Sequence, residues 1–173
     1  MARSLSRTQA LTAIDELRVG LDAALDEIEE QRRNVDLSID HQSYLNDYAV
    51  VRIAGYLEQL CFHAISGRVG EVTGGHLQLF VNSWFYKSPN LTAQQLRDLF
   101  KRFGPDIDLK VKAFLDDGLN RELLDSLLET RNAVAHGKDY SQTGRASLQA
   151  FRGVLDELER LVRSLLLDEM SAI

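Results

Sequence analysis

Between Tyr48 and Ile65 the only strongly polar side chains are Arg52, Glu58, Gln59 and His63. The surrounding stretch, Tyr44 to Val69, therefore reads as a helix that is apolar nearly all round. Such a helix has to be covered on most sides by other elements. The chain is well supplied with them. Leu5 to Arg33 carries Leu11, Ile14, Leu17, Leu21, Leu25 and Ile28 at spacings of three and four, which is one face of a helix with a charged face opposite. Leu148, Phe151, Val154, Leu155, Leu158, Leu161, Val162 and Leu165 form a second such stripe, on a long last helix expected from about Gly144 to Met170.

Shorter segments fill the middle. Asn34 to His41 is polar and reads as a break, and Gly70 to Gly75 as a turn. His76 to Lys87 is expected to be a helix whose apolar face includes Leu77, Phe80, Val81, Trp84 and Phe85. Ser88-Pro89-Asn90 interrupts it. Thr92, with Gln95 three residues later, has the capping-box spacing. The helix it opens, Ala93 to Phe103, should stop at Gly104-Pro105. Ile107 to Leu115 is a short helical piece. Leu119 to about His136 follows, and Gly137 is placed to close it in the left-handed conformation. With only two prolines in 173 residues and no alternating strand pattern, the expectation is an all-α, single-domain helical bundle over 1–173, residues 1–41 forming an N-terminal helix and turn.

Composition narrows the class of function. A net charge of −6 argues against a general nucleic-acid coat protein, though not against brief contact with RNA at a local basic site. Asp22 to Glu30 is acidic, whereas Arg131 to Arg152 holds four basic residues against Asp139 alone. Cys61 is the only cysteine, which rules out an internal disulfide and suits a reducing compartment. No signal-peptide pattern opens the chain, and no apolar run reaches the ~20 residues of a membrane span. A soluble cytoplasmic protein is expected, with no membrane association.

Candidate chemistry centres on Arg131-Asn132-Ala133-Val134-Ala135-His136-Gly137. Arginine holds phosphate through a fork of donors at any physiological pH, and histidine moves a proton near neutrality. Together they suggest phosphodiester chemistry without a metal. On spacing alone, a basic last helical turn favoured by the macrodipole is the plainer reading. Five helical residues also turn through roughly 140°, so the two side chains diverge on an ideal helix. They can converge if the helix ends locally at Gly137, or if a second subunit supplies another pair across a symmetric cleft.

Other groups of residues carry simpler explanations. Cys61 and His63 have the residue types of a nucleophile and its base, but i,i+2 neighbours on a helix point apart, so packing is expected. Asp36, Asp40 and His41 have metal-ligand chemistry, yet polar residues before a helix account for them and no compact ligand set is visible. Gly70, Gly74 and Gly75 lack the lysine-hydroxyl ending of a phosphate loop. Phe80, Trp84, Phe85 and Tyr86 could stack bases, but at helical spacing they fit a core or a dimer contact.

The segment LLETRNAVAHG (127–137), followed by a turn and a long amphipathic helix, resembles the signature of HEPN domains. DYAVVRIAGYLEQL (47–60) is similar to their N-terminal core helix, and LRDLFKRFG (96–104) to what the RiboL-PSP-type branch carries before the motif helix. The resemblance spans roughly Asp47 to Leu165. It implies a HEPN-like up-and-down helical bundle with a long C-terminal helix and extra short helices. It further implies a metal-independent endoribonuclease with no cofactor, of the kind found among toxins and antiphage effectors, acting as a homodimer with a composite site and in some cases held by an antitoxin. Arg131 and His136 match the two motif positions, Asn132 the polar position after the arginine, and Glu58, more loosely, the acidic position on the earlier helix. RNA would supply its own nucleophile, the 2′-OH, and leave a 2′,3′-cyclic phosphate. Glu58 either holds Arg131 or His136 in place or is an ordinary paired carboxylate, for example with Arg52. Members without activity belong to the same family, so the competing expectation is a non-catalytic helical module for partner or nucleotide binding.

Overall fold

The computed structural model describes residues 6–33, 38–73, 83, 91–136 and 147–168, and among these no strand occurs. Six α-helices follow one another: α1 (Arg7–Arg32), α2 (Ile39–Val72), α3 (Ala93–Phe100), α4 (Pro105–Asp116), α5 (Asn120–Ala135) and α6 (Leu148–Arg163). A single π turn, Ser164–Asp168, extends α6. The long helices alternate in direction. Ala10 of α1 lies beside Gly67 near the end of α2, and Gly67 in turn lies beside Leu167 just after α6. Asn120 at the start of α5 bonds Glu157 in the second half of α6 at 3.3 Å. Thus α1 and α5 run one way, α2 and α6 the other, as an up-and-down bundle requires.

Local chemistry sets most of the boundaries. Ser6 and Gln9 form a reciprocal capping box at the start of α1, and Thr92 and Gln95 form the one expected at α3. The main-chain N–H of Ala93 also donates to Asp125 Oδ1 at 2.8 Å, tying the start of α3 to α5. The helix α3 is shorter than its sequence suggested. It passes at Phe100 into a 3₁₀ turn, Lys101–Phe103, and Gly104 at φ 121° then lets Pro105 open α4. Arg97 clamps Asp108 through two bonds of 2.7 and 3.0 Å, holding α3 against α4.

The central helix is longer than expected at both ends. Residues Ile39 to His41 are helical rather than part of a break, because the Ser38 hydroxyl accepts the main-chain N–H of His41 and completes the first turn. At the other end Gly70 continues the helix instead of opening a turn, and Thr73 ends it by donating its hydroxyl to the Val69 carbonyl at 2.8 Å. Gly74 and Gly75, the helix expected over 76–87 apart from Ser83, Gly137, and the ends of the last helix at 144–146 and 169–170 lie outside the described residues. Within them α6 begins at Leu148, capped by the Ser147 hydroxyl.

The core is the sheath around α2. Ile53, Leu57, Leu60 and Ile65 of α2 meet Ile14, Leu21 and Leu25 of α1, Leu124 and Leu127 of α5, and the α6 stripe. Charge reinforces the α1–α6 seam from outside: Arg18 reaches Asp156 at 2.6 Å and Glu159 at 3.0 Å, Arg163 reaches Asp15 at 2.6 Å, and Arg152 reaches Glu29 at 2.8 Å. Partly exposed pairs of this kind contribute little individually.

Close approach is sharpest at Gly67, where a Cβ would sit 2.6 Å from the Ala10 Cβ and 3.2 Å from Leu167 Cδ2. Gly67→Ala should therefore destabilise the fold by about 1–3 kcal/mol through overpacking. Gly153, in α6, has nothing within 4 Å of the same position, so Gly153→Ala should gain roughly 0.5–1 kcal/mol from helix propensity. Urea unfolding of the two variants beside the wild type checks both signs.

Candidate functional site

The motif sits on the last turn and a half of α5. Arg131 is half-buried, and its guanidinium Nη2 lies 3.7 Å from Glu58 Oε1 on α2. That is within ion-pairing reach but long for a hydrogen bond. Its Nη1 donates to Asn132 Oδ1 at 3.1 Å, which lays the side chain across the helix surface toward its neighbour. Glu58 is only 8% exposed. A carboxylate so far from water needs a cation or donors near it, and Arg131 supplies the cation. Arg52, the other partner open to Glu58 from the sequence, instead donates to the Gly20 carbonyl of α1 at 3.3 Å.

His136 stands differently. It is the C-cap of α5, with its main-chain N–H shared between the carbonyls of Asn132 and Ala133 at 3.1 and 3.2 Å. Its side chain is exposed, and none of the side-chain hydrogen bonds of the described residues joins it to Arg131, Asn132 or Glu58. The helix persists to Ala135, so an early helix end does not draw the two motif residues together. The structure brings Arg131, Asn132 and Glu58 into one cluster and leaves His136 beside it at the open end of α5.

The competing positions resolve plainly. Cys61 is fully buried, and burial together with the nearby Glu58 charge pushes its thiol up to about 12. Thiolate, the reactive form, is absent there at neutral pH. His63 packs edge-on against the Phe62 ring at 5.0 Å. Asp40 and His41 lie in the first turn of α2, where His41 Nδ1 meets the Ser38 hydroxyl at 2.9 Å. Among the described residues no group of three or more His, Cys, Asp or Glu side chains is placed to hold a metal ion. Asp36 and the cluster Phe80, Trp84, Phe85 and Tyr86 are outside the described residues.

Two features are not legible in the sequence. One is a cleft of about 590 Å³, lined by none of Arg131, Asn132, His136 or Glu58, where Thr130 of α5 faces Asn46 and Val50 of α2 and Ser147 and Gln149 at the start of α6. It forms where four helices meet, and no local pattern announces that. The other is the exposure of one side of α2, at Tyr44, Tyr48 and Val51. No helix among the described residues is long and apolar enough to cross a membrane.

An up-and-down all-α bundle carrying an Arg-x4-His motif at the end of its penultimate long helix has the form of a HEPN-type domain. The RiboL-PSP-HEPN family model matches residues 20–166. That is most of the chain, and the protein belongs to this family. The match begins earlier than the sequence resemblance did and takes in the second half of α1. No curated protein and no solved structure gives a significant match.

Burial lowers the affinity of His63 for a proton below the ordinary 6.5. The unfolded chain therefore protonates first on acidification. Stability from this residue should be intact above about pH 6.5 and fall as pH drops toward the folded value. Unfolding midpoints measured from pH 7.5 to 5 should show that fall, and His63→Gln should flatten it.

Proposed function

We propose that the protein is a metal-independent endoribonuclease acting at Arg131 and His136. The observation that carries the reading is the Arg131 guanidinium, fixed between Glu58 and Asn132 at the mouth of α5 and followed by an exposed His136, in a chain of the RiboL-PSP-HEPN family. RNA carries its nucleophile beside the scissile phosphate. A neutral imidazole of His136 takes the proton from the 2′-OH as that oxygen attacks phosphorus. The P–O5′ bond breaks, and a protonated imidazole gives its proton to the leaving 5′-oxygen. The products are a 2′,3′-cyclic phosphate and a 5′-hydroxyl, and DNA is spared for want of the 2′-OH.

Arg131 neutralises the charge that grows on the non-bridging oxygens. Its position is set by Glu58, which also keeps the guanidinium from swinging into solvent. Asn132 offers a further polar contact to phosphate. Because one imidazole cannot be base and acid in the same step, a homodimer with two His136 residues facing one cleft suits the reaction. Such an activity fits a toxin or antiphage effector in the cytoplasm, restrained by a partner protein acting as antitoxin.

Purified wild type should cut single-stranded or loop-containing RNA in EDTA. Arg131→Ala and His136→Ala should each reduce the rate by about 10²–10⁴-fold, with circular dichroism unchanged. Glu58→Gln should lose less than either. If the wild-type protein leaves a broad RNA panel intact, or both alanine variants cut normally, the nuclease reading fails and a non-catalytic binding module replaces it.

A further inference from the structure

The cleft of about 590 Å³ between α1, α2, α5 and α6 takes no part in the motif cluster. Its volume is that of a small-molecule site, and such sites set a few converging polar groups in apolar walls. Val50, Leu148 and Phe151 supply the apolar wall, and Val50 and Phe151 are rooted in the core. The polar groups come from all four helices: Arg32 at the end of α1, Asn46 on α2, Thr130 on α5, and Ser147 and Gln149 at the start of α6.

Hydrogen-bonding capacity in the cleft is lopsided toward donors. The Ser147 hydroxyl accepts the Ala150 N–H at 3.1 Å and keeps its own proton for another acceptor. The main-chain N–H groups of Leu148 and Gln149 are the first two of α6, where a helix offers no acceptor of its own. Arg32 and the Asn46 carboxamide have no partner among the described residues. Acceptors are fewer. Glu29 is the one carboxylate among the described lining residues, and Arg152 Nη1 engages it at 2.8 Å. Thr130, only 2% exposed, gives its hydroxyl proton to the Ser126 carbonyl at 2.8 Å, so it shows the cleft only lone pairs. Charge points the same way. With Glu29 answered by Arg152, the positive charge of Arg32 is left over, in a chain whose net charge is −6.

We propose that this cleft binds a small phosphate monoester, at a site separate from the Arg131 cluster. The phosphate takes the Arg32 guanidinium, the Ser147 hydroxyl and the N–H groups of Leu148 and Gln149. The positive end of the α6 dipole adds to their pull. The organic body lies against Val50, Leu148 and Phe151, and a donor on that body meets the Thr130 hydroxyl oxygen. Phosphate suits this donor set better than carboxylate. It brings three strong acceptor oxygens and nearly two negative charges, where a carboxylate brings two oxygens and one charge. A polynucleotide fits less well, because its backbone calls for cations repeated along a track and the cleft has one guanidinium to spare. None of Arg131, Asn132, His136 and Glu58 lines the cleft, so the site stands or falls independently of the nuclease reading.

Phenyl phosphate is the probe, titrated into the isotope-labelled full chain at roughly 0.15 M salt and followed by amide chemical shifts. Saturable shifts should centre on Thr130, Leu148 and Gln149. Inorganic phosphate, which lacks the body, and phenol, which lacks the charge, should each bind about tenfold more weakly or worse. Arg32→Gln, a change at an exposed position, should weaken phenyl phosphate by about tenfold or more and leave the unfolding midpoint where it was. Arg131→Ala should bind it as the wild type does. The proposal is overturned if no saturable shift appears, or if the shifts centre on Arg131 and Asn132. Loss of binding in Arg131→Ala with none in Arg32→Gln overturns it too. Inorganic phosphate binding as tightly as phenyl phosphate would mean an adventitious ion only. Displacement of the probe by 2′-O-methylated single-stranded RNA would assign the cleft to the path of a nucleic acid instead.

Discussion

Everything in this bundle is arranged around the need to cover α2. A 34-residue helix whose middle, from Tyr48 to Ile65, is apolar nearly all round cannot be stable alone in water. Its cover comes from α1, α5 and α6 together. At about 25 cal/mol per Å² of apolar area, the burial of Ile53, Leu57, Leu60 and Ile65 sets where those three helices must lie. The charged pairs between α1 and α6 then select among packings of similar hydrophobic value. They add direction rather than bulk stability, since each is partly exposed.

The same arrangement brings chemistry out of packing. Glu58 is the one charged residue among those that α2 buries, so leaving it without a cation would be costly. The residue placed to answer it is Arg131, and the angle at which α5 crosses α2 follows from core contacts of Leu124 and Leu127. A guanidinium destined for phosphate is thus held in place by the requirement that a buried acid be balanced. Among the described residues none gives His136 a comparable constraint. It follows the last helical residue and belongs to the edge of the fold.

Much of this could be read from residue order. The α1 stripe, the Thr92–Gln95 box, the stop near Gly104-Pro105 and the α6 stripe are local patterns, and they place their helices to within a few residues. The start of α2 is not legible because Ser38 caps through the His41 main chain, with no acidic or amide residue three positions on to advertise it. Ser147, which caps through the Ala150 main chain, is silent in the same way. The Glu58–Arg131 approach joins residues far apart in the chain, and periodicity alone leaves such a pairing open between Arg52 and Arg131. The uncovered side of α2 was harder still. A helix that is apolar nearly all round gives no sign of which side the described helices will leave exposed, and the positions of α1 and α5 decide it.

Cys61 carries a consequence of another kind. It is the only cysteine, fully enclosed at the middle of α2, with its proton held tightly by the surrounding hydrocarbon and by the charge of Glu58. A thiol reagent can reach it only when the helices around α2 part. Its rate of modification therefore counts openings of the whole sheath rather than fraying at an end. The molecule contains its own clock for cooperative unfolding, readable without introducing a label site and insensitive to motions confined to the surface.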